Sequence, residues 1–111
     1  MRQIQENSRD IEKWLKLIRA DGVGPVAFAR LIEYFGSVDR TLDASVSELA
    51  KVDGVGEKTA RQIASTRDKF DAAKELRRAA KLGVWLLTSE DERFPVVLKR
   101  IYDPPPVLYV Q

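Results

Sequence analysis

The sequence predicts a mainly α fold, two tandem helical hairpins in a small bundle followed by a short β-containing segment. Three observations predict it. The tetrapeptide Asp-Gly-Val-Gly occurs twice, as Asp21-Gly22-Val23-Gly24 and as Asp53-Gly54-Val55-Gly56, at an offset of 32 residues. Apolar residues recur with helical spacing on both sides of each copy. At Val84 that spacing gives way to a continuous apolar run. The repeat carries most weight, because a single Gly-Val-Gly is common and a duplicated one between helical patterns is not. At the same offset Leu17 matches Leu49 and Leu31 matches Ile63, so the core positions around the turn are shared as well.

Taken in order, residues 1–6 read as a lead-in, and Asn7 as a helix cap with Asp10 three residues on. Ile11, Trp14, Leu15 and Ile18 then fall at i, i+3, i+4 and i+7, one apolar face of a helix ending near Arg19. Trp14 lies within that stripe and belongs to the core. After the first turn Pro25 opens a helix reaching Phe35, with Phe28, Leu31, Ile32 and Phe35 inward, and Gly36 stops it. A short helix over Val38–Leu42 follows Ser37. Ser45-Val46-Ser47-Glu48 is a capping box that opens a helix over Val46–Val52, with Leu49 inward. Beyond the second turn a helix is expected over Glu57–Thr66, with Ala60, Ile63 and Ala64 inward. Another is expected over Asp68–Leu82, with Phe70, Ala73, Leu76 and Ala80 inward and Gly83 as its stop.

Val84-Trp85-Leu86-Leu87-Thr88 is short, apolar and rich in β-branched and aromatic residues, which predicts a buried strand. A loop over Ser89–Arg93 and a helical turn from Phe94-Pro95 follow, with Val97, Leu98 and Ile101 inward. Asp103-Pro104-Pro105-Pro106 is rigid and extended. Val107–Val110 reads as a second strand. Two such strands cannot make a stable sheet alone. They pair with each other across residues 89–106, or fray, or pair with another copy. The expected organisation is a tandem-hairpin domain over 1–83 and, over 84–111, the start of an α/β domain whose remainder lies outside this sequence.

Composition narrows the function. The chain has no cysteine and no histidine, so disulfides, thiolate metal sites, the commonest general base and the commonest zinc ligand are all missing. No enzyme activity, cofactor or side-chain metal site is expected; a cation held under a hairpin by backbone carbonyls leaves no residue signature and stays open. No apolar run approaches the ~18 residues of a membrane span. Met1–Asn7 is polar and lacks the apolar block of a signal peptide, so the expected location is the cytoplasm. Net charge is only +2, but Lys58–Lys81 carries eight basic residues against three acidic ones, a local +5 that leaves −3 for the rest. A basic segment beside a hairpin fits a polyanion partner; the competing reading is a solvated helix face.

The turns themselves are the candidate binding site. Glycines let the backbone turn tightly and let another backbone approach. The helix that follows begins with unpaired amides and the positive end of its dipole, which together favour an anion. In the second copy Gly54, Val55 and Gly56 form the turn, with Lys58, Thr59 and Arg61 following. Lys58 and Arg61 bring charge, joined by Lys51, and Thr59 brings a hydroxyl. Val55 plugs the turn into the core. In the first copy Gly22, Val23 and Gly24 form the turn, but Pro25 brings no donor and Val26, Ala27 and Phe28 no polar group. The competing reading is that both are only tight turns between packed helices. A turn of this kind holds phosphate without reading a base.

The duplicated turns resemble the tandem helix-hairpin-helix, or SAM-like, domain. Two further stretches extend the resemblance: Trp14-Leu15 … Gly22-Val23-Gly24-Pro25 … Phe28 … Leu31 … Phe35-Gly36-Ser37, and Gly83-Val84 … Phe94-Pro95-Val96-Val97-Leu98-Lys99-Arg100-Ile101-Tyr102-Asp103-Pro104-Pro105-Pro106-Val107-Leu108-Tyr109-Val110. Together these are similar to the N-terminal part of the DprA/Smf family of bacterial DNA-processing proteins, over about residues 10–111. The resemblance implies a non-enzymatic protein that binds single-stranded DNA in natural transformation and recombination and assists loading of the RecA recombinase. It also implies a Rossmann-like domain after residue 111, which would hold the main single-strand site and the dimer surface; a homodimer is possible, and exposed terminal strands could promote association. Only the hairpin positions can be mapped onto this sequence: Gly22, Val23, Gly24, Gly54, Val55, Gly56, Lys58 and Thr59.

Two readings compete with backbone binding. One is a protein-docking module whose basic face is merely solvated. The other is the DNA-binding appendage of a repair nuclease; its active site would want clustered carboxylates on a metal, and Glu90-Asp91-Glu92, the one such cluster, reads as a solvated loop.

Overall fold

The computed structural model describes residues 8–91 and 105–110. The expected cap at Asn7, the helical turn from Phe94 and the Asp103-Pro104 half of the Asp103–Pro106 run lie outside the described residues. The chain divides into two compact units, Lys16–Phe70 on one hand and Met1–Leu15 with Asp71–Gln111 on the other. Helix α1 (Ser8–Ile18) contributes to both.

The first unit holds α2 (Pro25–Phe35), α3 (Val38–Asp43), α4 (Val46–Ala50) and α5 (Gly56–Lys69). Helix α2 has the bounds the sequence predicts. Pro25 starts it, and Gly36, at φ 94°, ends it by donating its amide to the Ile32 carbonyl at 2.7 Å. Ser37 restarts the chain at once: its hydroxyl accepts from the Arg40 amide at 3.1 Å. Thr41 is fully buried, and its hydroxyl donates to the Ser37 carbonyl at 2.8 Å. The capping box at α4 is present in full, with Ser45 and Glu48 accepting from each other's amides.

The repeat seen in the sequence is a repeat of burial. Leu17, Ala20, Val23, Phe28 and Leu31 are buried, and so are Leu49, Val52, Val55, Ala60 and Ile63, each 32 residues on. The turn hydrogen bonds repeat too. Ala20 donates to Leu17 and Val23 to Ala20; Val52 donates to Leu49 and Val55 to Val52, all at 3.1–3.3 Å. Phe28 and Ala60 occupy equivalent places with very different volumes, so the two hairpins are not interchangeable in the core. Ile32, Phe35 and Ala64, expected inward, are half-buried.

Two boundaries differ from expectation. Helix α4 stops at Ala50, and Lys51–Val55 are turn. Helix α5 runs past Thr66 to Lys69, where the Phe70 amide closes it on the Thr66 carbonyl at 2.9 Å. The next helix is therefore capped by Asp71 rather than started by Asp68: Asp71 accepts from the Lys74 amide at 3.0 Å. Favourable helical neighbours carried α5 through Ser65-Thr66, whose weak propensities do not end a helix by themselves.

In the second unit α6 (Ala72–Lys81) leads to a two-stranded antiparallel sheet, β1 (Trp85–Thr88) with β2 (Val107–Val110). Of the three possibilities for the strands, the chain adopts pairing with itself, in the register Leu86 to Tyr109 and Leu87 to Leu108. Leu86 and Leu87 are both buried. Since neighbouring strand residues face opposite ways, both faces of β1 are covered at this point. Ala72 and Ala79 are the buried residues of α6; Ala73 and Leu76 are half-buried, and Ala80, expected inward, is exposed. Phe70, assigned to that helix from the sequence, precedes it. Gly83, at φ 72°, turns the chain so that Val84 donates to the Ala79 carbonyl at 2.8 Å. The Tyr109 hydroxyl donates to the Glu75 carboxylate, joining β2 to α6.

Candidate nucleic-acid interface

The two turns share a hydrogen-bonding pattern but differ at their second glycine. Gly22 and Gly54 have φ of 93° and 84°. Gly56 is also left-handed, at 72°, whereas Gly24 is extended at φ −94°. The second turn thus needs glycine twice and the first only once.

Val23 and Val55 are buried and their amides are bonded within the turns. They hold the turns in place and offer a ligand neither side chain nor free amide. The open donors lie one step on. Helices α3, α4 and α6 each begin under a side-chain cap, from Ser37, Ser45 and Asp71. Helices α2 and α5, the two that follow Gly-Val-Gly, have none. No side chain satisfies the first amides of either helix, and Pro25 has no amide hydrogen to offer.

The surrounding side chains differ sharply between the copies. At the second turn Glu57 and Lys58 are exposed where the first has Pro25 and Val26. Lys58 makes no ion pair with a described residue. Arg61 bonds Glu57 one helical turn back at 2.7 Å, with both side chains 69% exposed. Thr59 is half-buried and lies against the first turn: a Cβ on Gly22 would come within 2.6 Å of its Oγ1. The reciprocal contact exists at the second turn, where the Arg30 guanidinium of α2 would lie 3.2 Å from a Cβ on Gly54. Each turn therefore rests against the second helix of the other hairpin. Arg30 also donates to the Asp53 carboxylate at 2.8 Å. Sequence reasoning missed Arg30, because no local pattern links residues 23 positions apart.

The basic run is less uniform than its composition. Lys58, Arg61, Arg67 and Lys69 belong to one compact unit, and Lys74, Arg77, Arg78 and Lys81 to the other. Arg67 is used internally, donating to the Leu42 carbonyl at 2.8 Å and to Asp68 at 3.1 Å. The Glu48 carboxyl is held below the usual carboxylate range by the Ser45 amide first, then the Ser45 hydroxyl and the Lys51 charge. Among the described residues no group of acidic, histidine or cysteine side chains could hold a metal ion, and no helix is long and apolar enough to cross a membrane. Glu90 and Asp91 lie in the turn after β1, and Glu92 lies outside the described residues.

Two Gly-Val-Gly turns 32 residues apart, each between helices with a buried face and followed by one without a side-chain cap, match a known architecture. The family model for the SAM-like helix-hairpin-helix tandem covers residues 15–68. This part of the chain belongs to that family. Three curated proteins are similar to the chain. Protein Smf of Synechocystis sp. is 32% identical over 96 residues, which is 86% of this chain and 24% of Smf. A DNA ligase of Chlamydia trachomatis serovar L2 is 29% identical over 83 residues, 75% of this chain and 12% of the ligase. UvrABC system protein C of Thermobifida fusca is 50% identical over 42 residues, 38% of this chain and 6% of that protein. The chain thus spans a quarter or less of each relative. The Smf match agrees with the resemblance carried by the hairpins and the tail. No solved structure matches the chain.

Proposed function

We propose that the tandem helix-hairpin-helix domain binds the DNA backbone without reading sequence, as an accessory domain of a non-enzymatic DNA-processing protein of the Smf type. The observation that carries this reading is the second turn. There Gly54 and Gly56 hold the left-handed backbone, the first amides of α5 are uncapped, and Lys58 stands exposed beside them. The family match and the similarity to Protein Smf and to a DNA ligase support it. In this reading Gly54, Gly56, Lys58 and Arg61 face a phosphate, Val23 and Val55 anchor the turns, and Gly22 and Thr59 brace the hairpins. Residues 84–111 begin an α/β domain, and assistance to RecA, single-strand protection and any homodimer belong to the longer protein.

A division of labour between the copies follows. The exposed Val26 and Pro25 at the first turn favour contact with protein, while the second turn takes the phosphate.

The test is to titrate a labelled single strand and a duplex of equal length with the chain and with Lys58→Glu, at low and moderate salt. Binding in the roughly 10⁻⁴–10⁻⁶ M range, falling steeply with salt, is expected, with a further loss in the variant. Folded protein that binds neither nucleic acid would assign the tandem domain to docking instead.

A further inference from the structure

We infer that the groove lined by Arg30, Glu33, Tyr34, Val52 and Asp53 takes one unpaired nucleobase, stacked on Tyr34, from the strand whose phosphate sits at the second turn. The inference rests on the phosphate reading above and adds to it a single-strand subsite.

The groove is open and measures about 390 Å³, at the lower end of the ~300–1,000 Å³ typical of small-ligand sites. Buried Val52 forms an apolar part of its wall. Tyr34 is 56% exposed, unusual for so large an apolar ring. Its orientation is supported by Phe35, edge to face at a centroid distance of 4.8 Å. An exposed, oriented ring is what a base needs for stacking. Arg30 and Tyr34 lie four residues apart on α2, so they share one helix face. The groove is continuous with the second turn, because Asp53 belongs to both and Arg30 touches both.

Charge decides which part of a polynucleotide enters. Arg30, Glu33 and Asp53 sum to −1, and the Arg30 charge is already engaged by Asp53 at 2.8 Å. A phosphate is repelled from such a groove. A neutral base is not, and its amino and ring N–H groups find two exposed carboxylates as acceptors. Lys58 and the open amides of α5 lie on the turn itself, so phosphate and base have separate places. A paired base is stacked on both sides and cannot reach Tyr34 without leaving the duplex.

The experiment uses the whole chain and three probes of equal length: a natural single strand, the same strand with abasic sugars throughout, and a duplex. Tyr34→Ala, Tyr34→Phe and Lys58→Glu are compared with the parent. The expected result is that Tyr34→Ala weakens the natural strand about five- to tenfold while leaving the abasic strand and the duplex unchanged, and that Tyr34→Phe restores the affinity. Circular dichroism checks that each variant is folded. Unchanged single-strand affinity in Tyr34→Ala, or equal loss on all three probes, overturns the inference; the groove would then suit a cationic side chain of a protein. Lys58→Glu tests the parent reading separately. If it is silent while Tyr34→Ala affects the natural strand alone, the base subsite stands and the phosphate assignment falls. If the parent chain binds none of the probes, both fall.

Discussion

A Cβ on Gly22 would meet the Thr59 hydroxyl oxygen at 2.6 Å and its methyl at 3.2 Å. The first turn and α5 are thus in contact at a point that admits no side chain. Gly22 is also left-handed at φ 93°, so Gly22→Ala combines backbone strain with a clash against a β-branched neighbour that has little room to rotate. A loss of about 1–3 kcal/mol is expected in denaturant melts. Gly24→Ala is the control. Its φ is −94° and nothing lies within 4 Å, so the smaller unfolded-state entropy and the poorer cap offset one another and stability hardly changes. Adding Thr59→Ala to Gly22→Ala recovers the clash but not the strain, which a double-mutant cycle reads as a coupling of about 0.5 kcal/mol or more.

Arg30 and Asp53 join the hairpins at the second turn, with side chains 46% and 95% exposed. Solvent screens such a pair, so its coupling in a double-mutant cycle is expected at about 0.2–1 kcal/mol, declining with salt. Its effect on binding is larger in kind. The Asp53 carboxylate stands beside the proposed phosphate place and opposes an anion there. Asp53→Asn therefore tightens DNA binding about two- to fivefold at low salt, an effect that fades as ionic strength rises. Equal affinity of Asp53→Asn and parent at low salt would place the phosphate elsewhere.

Local signals in this chain were legible and long-range ones were not. Pro25 and Gly36 bound α2 because a proline and a left-handed glycine act on their own neighbours. Ser45 and Glu48 form their box for the same reason. The duplicated turn was legible because 32 residues separate two copies of one pattern. By contrast, nothing near Arg30 in sequence announces Asp53, and nothing near Gly22 announces Thr59. The apolar face of α6 was misread at Ala80, because alanines at 72, 73, 79 and 80 offer two nearly equivalent faces and only tertiary contact chooses between them. Asp68, the expected start of that helix, lies inside α5, because nothing local to Ser65-Thr66 ends α5, and Asp71 is the cap instead. Tyr34, a single exposed aromatic, leaves no periodic trace in the sequence.

Arg67 sits in the basic run but serves the fold. Its guanidinium donates to the Leu42 carbonyl at 2.8 Å and reaches the Ala44 carbonyl at 3.5 Å, tying α5 to the link between α3 and α4. Both carbonyls are met by Nη1 while Nε holds Asp68 at 3.1 Å, and a lysine, with one nitrogen, cannot reproduce that division. Arg67→Lys should cost about 1 kcal/mol and Arg67→Ala about 1.5–3 kcal/mol in thermal or denaturant melts. DNA affinity measured on the folded variants should be unchanged, in contrast to Lys58→Glu. A loss of affinity without a loss of stability would return Arg67 to the binding face.

The capping box at α4 gives the domain an acid-sensitive contact. Glu48 accepts from the Ser45 amide at 3.1 Å and from the Ser45 hydroxyl at 3.2 Å, and Ser45 accepts from the Glu48 amide at 3.1 Å. These bonds favour the ionised carboxylate and lower its pKa from the ordinary value. A carboxyl whose folded pKa is depressed stabilises the fold above its unfolded pKa, and that contribution is lost as pH falls through the folded value. Glu48→Gln removes the titration while keeping one acceptor. It should be less stable than the parent at neutral pH and approach it as the pH falls below the ordinary carboxylate range. Ser45→Ala removes the cap itself and should cost about 0.5–2 kcal/mol at neutral pH. It also takes away the hydroxyl's share in lowering the Glu48 pKa, so part of the acid sensitivity goes with it. Melting temperatures of the three proteins across the acid range supply the check. Parallel curves for parent and Glu48→Gln would mean that Glu48 titrates alike in the folded and unfolded chains, and that the box works through geometry alone.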